Sequence, residues 1–224
     1  EAIRINPNLA EAWNNLGAAY GNLERYQDAI TACREAIRIN PDYAEAWNNL
    51  GVAYWNLKRY QDVIAAYGEA VRINPDFAEA WNILGNAYVR LERNRDATMA
   101  YREAIRIKPD YTEAQNNLLA ELSFSLGELS VFVENYQGAI APYRKAVRIN
   151  PDHAGAWLGI GAAYISLERY QDAIPAYHEA IRINPDLAKA WFGLGLASAG
   201  IGDRSTVREC LRRLDQLDPT LAAH

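Results

Sequence analysis

Three histidines and two cysteines are the side chains of this 224-residue chain best suited to act as general base, nucleophile or soft metal ligand. Their spacing supports none of these roles. His153, His178 and His224 form no HExxH, and Cys33 and Cys210 have no nearby cysteine partner. His153 falls in a loop and His178 on a helix, and both are expected at the surface. The string GLGLASAGIG at 193–202 imitates a glycine-rich nucleotide loop, but no strand precedes it. No Ser–His–Asp set can be assembled, so the chain is not expected to be an enzyme or to need a metal or cofactor. Amides recur instead. Asn14, Asn48, Asn82 and Asn116 form one row, and Asn15, Asn49 and Asn117 a second, interrupted by Ile83. Each amide offers both a donor and an acceptor, which suits the backbone of an extended peptide.

The elements that must position these amides are set by a repeat. RINPD stands at 38–42, 72–76, 148–152 and 182–186, with near copies at 4–8 and 106–110. Pro7, Pro41, Pro75 and Pro109 are 34 residues apart, as are Pro151, Pro185 and Pro219; Pro109 to Pro151 spans 42. A 34-residue period is that of a helix–turn–helix unit. In the unit 44–77, Trp47, Leu50, Gly51 and Tyr54 fall on one helical face. After a turn at KRY, a second helix gathers Val63, Ile64, Tyr67, Ala70 and Val71. RINPD ends that helix through its proline, and Asp42 is expected to N-cap the next. Gly17, Gly51, Gly85, Gly161 and Gly195 recur in first helices, and Ala29, Ala97, Ala139 and Ala173 in second helices, where close backbone approach needs small residues. Trp13, Trp47, Trp81, Trp157 and Trp191, with Tyr20, Tyr54, Tyr88 and Tyr164, are expected to fill the core.

The motif W-N-N-L-G-x-A-Y, then A-I-x-x-Y, then the closing proline resembles the tetratricopeptide repeat family. In one unit it occupies Trp47–Tyr54, Val63–Tyr67 (with Val for Ala) and Pro75, and the likeness covers residues 10–219. The resemblance implies an all-α, right-handed solenoid of six stacked helix–turn–helix repeats. It also implies a concave groove lined by first helices that binds peptides or proteins. The units expected are 10–43, 44–77, 78–111, 112–153, 154–187 and 188–221, with 1–9 the remnant of a preceding repeat. Asn15, Asn49 and Asn117 further resemble the asparagine ladder of the repeat domain of O-linked N-acetylglucosamine transferase. The groove is thus expected to use Asn14, Asn15, Asn48, Asn49, Asn82, Asn86, Asn116 and Asn117, with Trp55 and Arg90 a turn or two further on. Four or five amide bonds would hold a peptide at roughly micromolar affinity. The cationic clamp of chaperone-binding members does not form in the first three units, since Asn14, Ala18, Asn49, Glu79 and Ile83 stand at its sites. Glu11, Glu45, Glu79 and Glu113 would favour a neutral or basic ligand, although helix capping alone would also explain them. In the last two units Leu158, Gly159, Phe192 and Gly193 replace the asparagines and Lys189 replaces Glu, so that part should be more apolar.

The fourth unit departs from the pattern. Gln115 replaces Trp, Leu119 replaces Gly, Leu122 replaces Tyr, and eight residues are inserted within AELSFSLGELSVFVENY. One or both helices should be longer, with a reversal near Gly127–Ser130. Leu129, Val131, Phe132 and Val133 are either an inert insertion or an exposed partner contact. Pro142 and Pro175 are tolerated in the first turn of a second helix and disruptive deeper. The polar RECLRRLDQLD suits a capping helix. Cys33 and Cys210, far apart in a solenoid, are expected as buried, unpaired thiols. A net charge of −5 with scattered Arg and Lys argues against nucleic acid, and no apolar run reaches membrane-span length. The expected partner is a protein or extended peptide. A homo-oligomer through repeat ends, or service as the recognition arm of a larger enzyme, are the alternatives. The compartment stays open, with the cytoplasm as default.

Overall fold

The computed structural model describes residues 9–218 and residue 220. Pro7, Pro219, His224 and the expected N-terminal remnant therefore lie outside the described residues, except Leu9. Among the described residues the chain is all-α, with twelve helices and no strand. They are α1 (Ala10–Asn22), α2 (Tyr26–Ile39), α3 (Ala44–Asn56), α4 (Tyr60–Ile73), α5 (Ala78–Arg90), α6 (Asn94–Ile107), α7 (Thr112–Phe132), α8 (Tyr136–Ile149), α9 (Ala154–Ser166), α10 (Tyr170–Ile183), α11 (Ala188–Gly200) and α12 (Arg204–Leu217). They form two compact units, Glu1–Leu118 and Leu119–His224, with the boundary inside α7. In the first unit each of α1 to α5 packs on the helix that follows it, and α1 also touches α3. In the second, α8 to α11 do the same, and α9 touches α11.

Both hairpin joints have an explicit chemistry. At the tip of each hairpin one residue adopts the left-handed conformation: Glu24, Lys58, Glu92, Glu134, Glu168 and Gly202. In the first hairpin the Glu24 N–H donates to the Gly21 carbonyl (3.0 Å) and the Arg25 N–H to the Tyr20 carbonyl (2.9 Å). Those two bonds are a Schellman motif and satisfy carbonyls that the helix end leaves bare. The arginine that follows lies over the preceding tyrosine ring, as Arg25 on Tyr20 at 4.5 Å, and pairs with an aspartate, as Arg25 with Asp28 at 2.6 Å.

The loop between hairpins is held differently from expectation. Asp42 is not the cap; Tyr43 occupies that position and makes no side-chain cap bond. Asn40 instead accepts from the Asp42 N–H (3.2 Å), folding the loop on itself. The Asp42 carboxylate is thereby left to reach Arg72 in the last turn of α4, at 3.2 Å. The tryptophans are half-buried rather than sealed. Trp47 Nε1 donates to the Pro41 carbonyl (2.9 Å), and Trp81, Trp157 and Trp191 do likewise to Pro75, Pro151 and Pro185. Gln115 preserves this bond without the indole, donating to the Pro109 carbonyl at 2.7 Å.

The insertion lengthens α7 alone. The helix runs unbroken through Gly127–Ser130, and the reversal falls after Phe132, at Glu134. The eight residues restart the repeat register inside one helix. Ala120, Glu121, Leu126 and Gly127 reproduce the A-E-x-x-x-x-L-G spacing of Ala44–Gly51. Gly127 then does what Gly51, Gly85 and Gly161 do: a methyl group there would enter the ring of the tyrosine opposite, Tyr143. Pro142 and Pro175 sit beyond the first turn, inside α8 and α10. Each removes one backbone donor from its helix.

Candidate functional site

The first-helix face of the unit Glu1–Leu118 is where the amides converge. On α3, Glu45, Asn48, Asn49, Val52 and Asn56 follow i, i+3, i+4, i+7 and i+11, one helical face. Asn14 and Asn82, expected to meet a ligand, are buried and committed to the protein. Asn14 donates to the Tyr43 hydroxyl (3.4 Å) and accepts from Asn49 Nδ2 (2.9 Å). Asn82 donates to the Tyr111 hydroxyl (3.3 Å) and to Glu113 Oε1 (2.9 Å), and accepts from Asn117 Nδ2 (3.0 Å). The rows therefore bond to each other across adjacent hairpins: the first row of one unit receives the second row of the next. Burial drives this pairing, because an amide out of water must find partners within the protein.

Asn15 and Asn116 are exposed, while Asn48, Asn49, Asn117 and Asn86 are half-buried. Asn86 Oδ1 accepts from the Tyr101 hydroxyl (2.7 Å) and from Asn117 (3.1 Å). Trp55 is half-buried and packs edge-on against Tyr60 at 5.5 Å, and Arg90 is half-buried. Of the acids, Glu113 serves Asn82 and Glu79 pairs with Lys108 at 3.4 Å, while Glu11 and Glu45 are exposed. Tyr67 is the casualty of the broken row. Val52 stands where Asn86 serves Tyr101, and Ile83 where an asparagine would follow, so its buried hydroxyl has no partner.

In the unit Leu119–His224 the amide positions carry Leu158, Gly159, Phe192 and Gly193. A side chain at Gly159 or Gly193 would enter the rings of Tyr143 or Tyr177, so these glycines are packing positions. Leu158 and Phe192 are half-buried. In the insertion, Leu129, Phe132 and Val133 are exposed, whereas Val131 turns inward and packs on the core. Leu119, Leu122 and Leu126 are exposed beside them.

His153 is buried, contrary to expectation, because Glu121 lies opposite it. His153 Nε2 sits 3.0 Å from Glu121 Oε1, and its Nδ1 accepts the Ala156 N–H (3.2 Å), capping α9. A ring nitrogen that accepts carries no proton, so Nε2 holds it and lies beside the carboxylate without an aligned hydrogen bond to it. The Phe124 ring covers the imidazole at 4.6 Å. The pair is sealed from solvent. His178 is exposed. Cys33 and Cys210 are free and buried, and burial pushes each thiol up to about 11. Among the described residues no three His, Cys, Asp or Glu side chains converge to hold a metal, and no helix is long and apolar enough to cross a membrane. A cleft of about 240 Å³ beside α3 is lined by Arg34, Trp47, Tyr54 and Asp62, below the ~300–1,000 Å³ usual for ligand pockets.

Models of the tetratricopeptide repeat match residues 10–43, 44–77, 78–111 and 154–187, and a TPR repeat model matches 134–167. The chain belongs to the tetratricopeptide repeat family. As a member of that family it is, in general terms, a protein-interaction scaffold. No curated protein matches it. Among solved structures, the P58(IPK) TPR domain is similar at 18% identity and a TM-score of 0.66, over 96% of this chain and 63% of that one. The APC/C hetero-tetramer Cut9–Hcn1 is similar at 19% identity and a TM-score of 0.56, over 99% of this chain and 42% of that one. PilF of Pseudomonas aeruginosa is similar at 20% and 0.52, over 94% and 92%. This tetratricopeptide repeat chain thus spans less than two thirds of the first two. At these identities the likeness is one of fold.

Proposed function

We propose that the chain is a non-catalytic scaffold that binds an extended, neutral or basic protein segment along the first-helix face of α3, α5 and the start of α7. The observation that carries this reading is the state of Asn49 and Asn117. Each spends its amide N–H on the neighbouring hairpin. The amide is thereby fixed in direction, and its carbonyl oxygen remains to accept a backbone N–H from a ligand. A pre-oriented acceptor loses less rotamer entropy on binding than a mobile one. Asn48 and Asn116 flank these two, and the exposed Glu45 adds negative charge to the same face. The buried Asn14 and Asn82 hold the wall together and are not ligand contacts.

The test uses a fluorescein-labelled dodecamer of alternating Lys and Ala, with its Glu–Ala counterpart as control. The basic peptide should bind with a Kd of roughly micromolar order, weaken with salt, and lose about ten-fold with Asn49→Ala plus Asn117→Ala. Because those two side chains also tie hairpins together, Asn48→Ala plus Asn116→Ala is the second variant, with a smaller loss expected. Equal binding of the acidic peptide, or unchanged affinity in both variants, would reject the groove.

A further inference from the structure

Gly68 has no packing reason to be a glycine. At Gly51, Gly85 and Gly161 a methyl group would enter a tyrosine ring, but a Cβ at Gly68 would meet nothing within 4 Å. Gly68 lies inside α4 and does not adopt a positive φ, so it only weakens the helix relative to alanine. The other repeats show what is absent. Arg34 in α2 and Arg144 in α8 hold the same place. Each reaches across to the next hairpin: Arg34 donates to the Tyr54 hydroxyl (2.8 Å) and Arg144 to the Tyr164 hydroxyl (2.7 Å). Arg144 also lies over the Tyr164 ring, at 6.0 Å. Tyr88 follows Gly68 at the same interval of 20 residues, and position 68 has no side chain to offer it. Tyr54 and Tyr164 are 4% exposed beside their arginines, whereas Tyr88 is half-buried.

The rest of the seat is kept. Arg59 covers the Tyr54 ring and pairs with Asp62, and Arg169 does the same with Tyr164 and Asp172. Arg93 covers Tyr88 at 4.5 Å and pairs with Asp96 at 2.8 Å. The neighbouring charges are therefore alike at all three places, and two of the three hold a guanidinium. A second change falls at the same seat. Ala65 lines the cleft beside Arg34, and its counterpart beside Gly68 is Met99, 59% exposed. We propose that the seat between α4 and α5 takes an arginine side chain from a partner protein, which supplies the guanidinium that Gly68 lacks. The guanidinium donates to the Tyr88 hydroxyl, and the methylene stem lies along the Met99 thioether. Arginine is selected over lysine because a planar, weakly hydrated guanidinium can donate and cover an aromatic ring at once. A protein segment is selected because a glycine at 68 clears the helix surface for an incoming main chain. The seat belongs to second-helix residue Gly68 and is separate from the amide face of the proposed groove.

The probe is the blocked tripeptide N-acetyl-Ala-Arg-Ala-amide, followed by amide chemical shifts of the isotope-labelled full chain. Shifts should centre on Gly68, Tyr88 and Met99 with a Kd of roughly millimolar order, and the Lys counterpart should bind about five-fold more weakly or less. Gly68→Arg should abolish binding, because the chain then fills its own seat. It should also melt at a higher Tm than Gly68→Ala, although alanine has the higher helix propensity, because only the arginine reaches Tyr88. Tyr88→Phe should erase that difference. Gly68→Ala should keep most of the probe affinity, since its methyl group leaves the seat open. Asn49→Ala plus Asn117→Ala should leave it unchanged, which separates failure of this seat from failure of the groove. Absence of shifts at Gly68 and Tyr88, binding that survives Gly68→Arg, or equal affinity for the Lys peptide would each overturn the proposal. Equal affinity for free arginine would reassign the seat to a small molecule and overturn it as well.

Discussion

At the scale of single residues, satisfied and unsatisfied polar atoms separate the repeats more sharply than hydrophobicity does. The Tyr67 hydroxyl is buried without a partner, and burial holds its pKa well above the ordinary tyrosine range. Tyr67→Phe should therefore be neutral or stabilising by up to about 1 kcal/mol, read from urea unfolding, since an unpaired buried hydroxyl costs about 1–3 kcal/mol. Glu121 is a charged case: its carboxylate oxygens are buried without a hydrogen bond, and only the His153 ring, at 3.0 Å, offsets their charge. His153→Leu leaves its carboxylate buried and unpaired and should cost about 3–5 kcal/mol, whereas His153→Leu with Glu121→Gln should recover a large part of the loss. Equal losses in the single and double variants would show that packing, not charge, dominates there. Burial raises the Cys33 and Cys210 thiols to about 11, so few thiolates exist at neutral pH. Iodoacetamide should label both only as fast as the helices open.

At the scale of elements, helix ends decide more than helix interiors. Five hairpin tips place a non-glycine residue in the left-handed region, and only Gly202 occupies it without cost. Gly202→Ala should cost about 1 kcal/mol, measured as a lowered Tm. Asp203 caps α12 by accepting from the Ser205 and Thr206 hydroxyls and N–H groups. Those bonds hold its carboxyl well below the usual carboxylate range. A depressed folded-state pKa contributes stability that is complete above the unfolded value, near 4, and is lost as pH falls below it. Melts from pH 7 to pH 2 should lose this contribution below about pH 4, and Asp203→Asn should flatten that part of the profile.

At the scale of the whole molecule, repeats that touch only their neighbours transmit damage locally. Gly51→Val would drive a side chain into the Tyr67 ring and should lower amide-exchange protection most in α3 and α4. Protection should fall less in α1, α2, α5 and α6. A uniform loss through the chain would contradict nearest-neighbour coupling. The inter-hairpin ion pairs Asp42–Arg72 and Asp152–Arg182, at 3.2 and 3.3 Å, are exposed on both sides. Each contributes at most about 1 kcal/mol, so the buried core shared by successive hairpins carries more of the coupling.

The sequence alone determined the all-α hairpin repeat, the packing glycines, the buried thiols and the helix-lengthening insertion. Each follows from spacing along the chain, and spacing is what fixes which residues share a helical face. It also contained the second register in α7, because Ala120–Gly127 repeats Ala44–Gly51, although Ser123 in the tryptophan place hides it. Tertiary structure alone decided the fate of individual polar groups. Asn14 and Asn48 have the same residue type and repeat position, but Asn14 is buried and bonded by Asn49, while the corresponding place in the hairpin after Asn48 holds Ile83, which offers no such bond. His153 is buried where Glu121 and Phe124 come to lie against it. Whether a polar side chain faces a ligand or a neighbour depends on the residue across the hairpin contact, and periodicity within one helix carries no information about that partner.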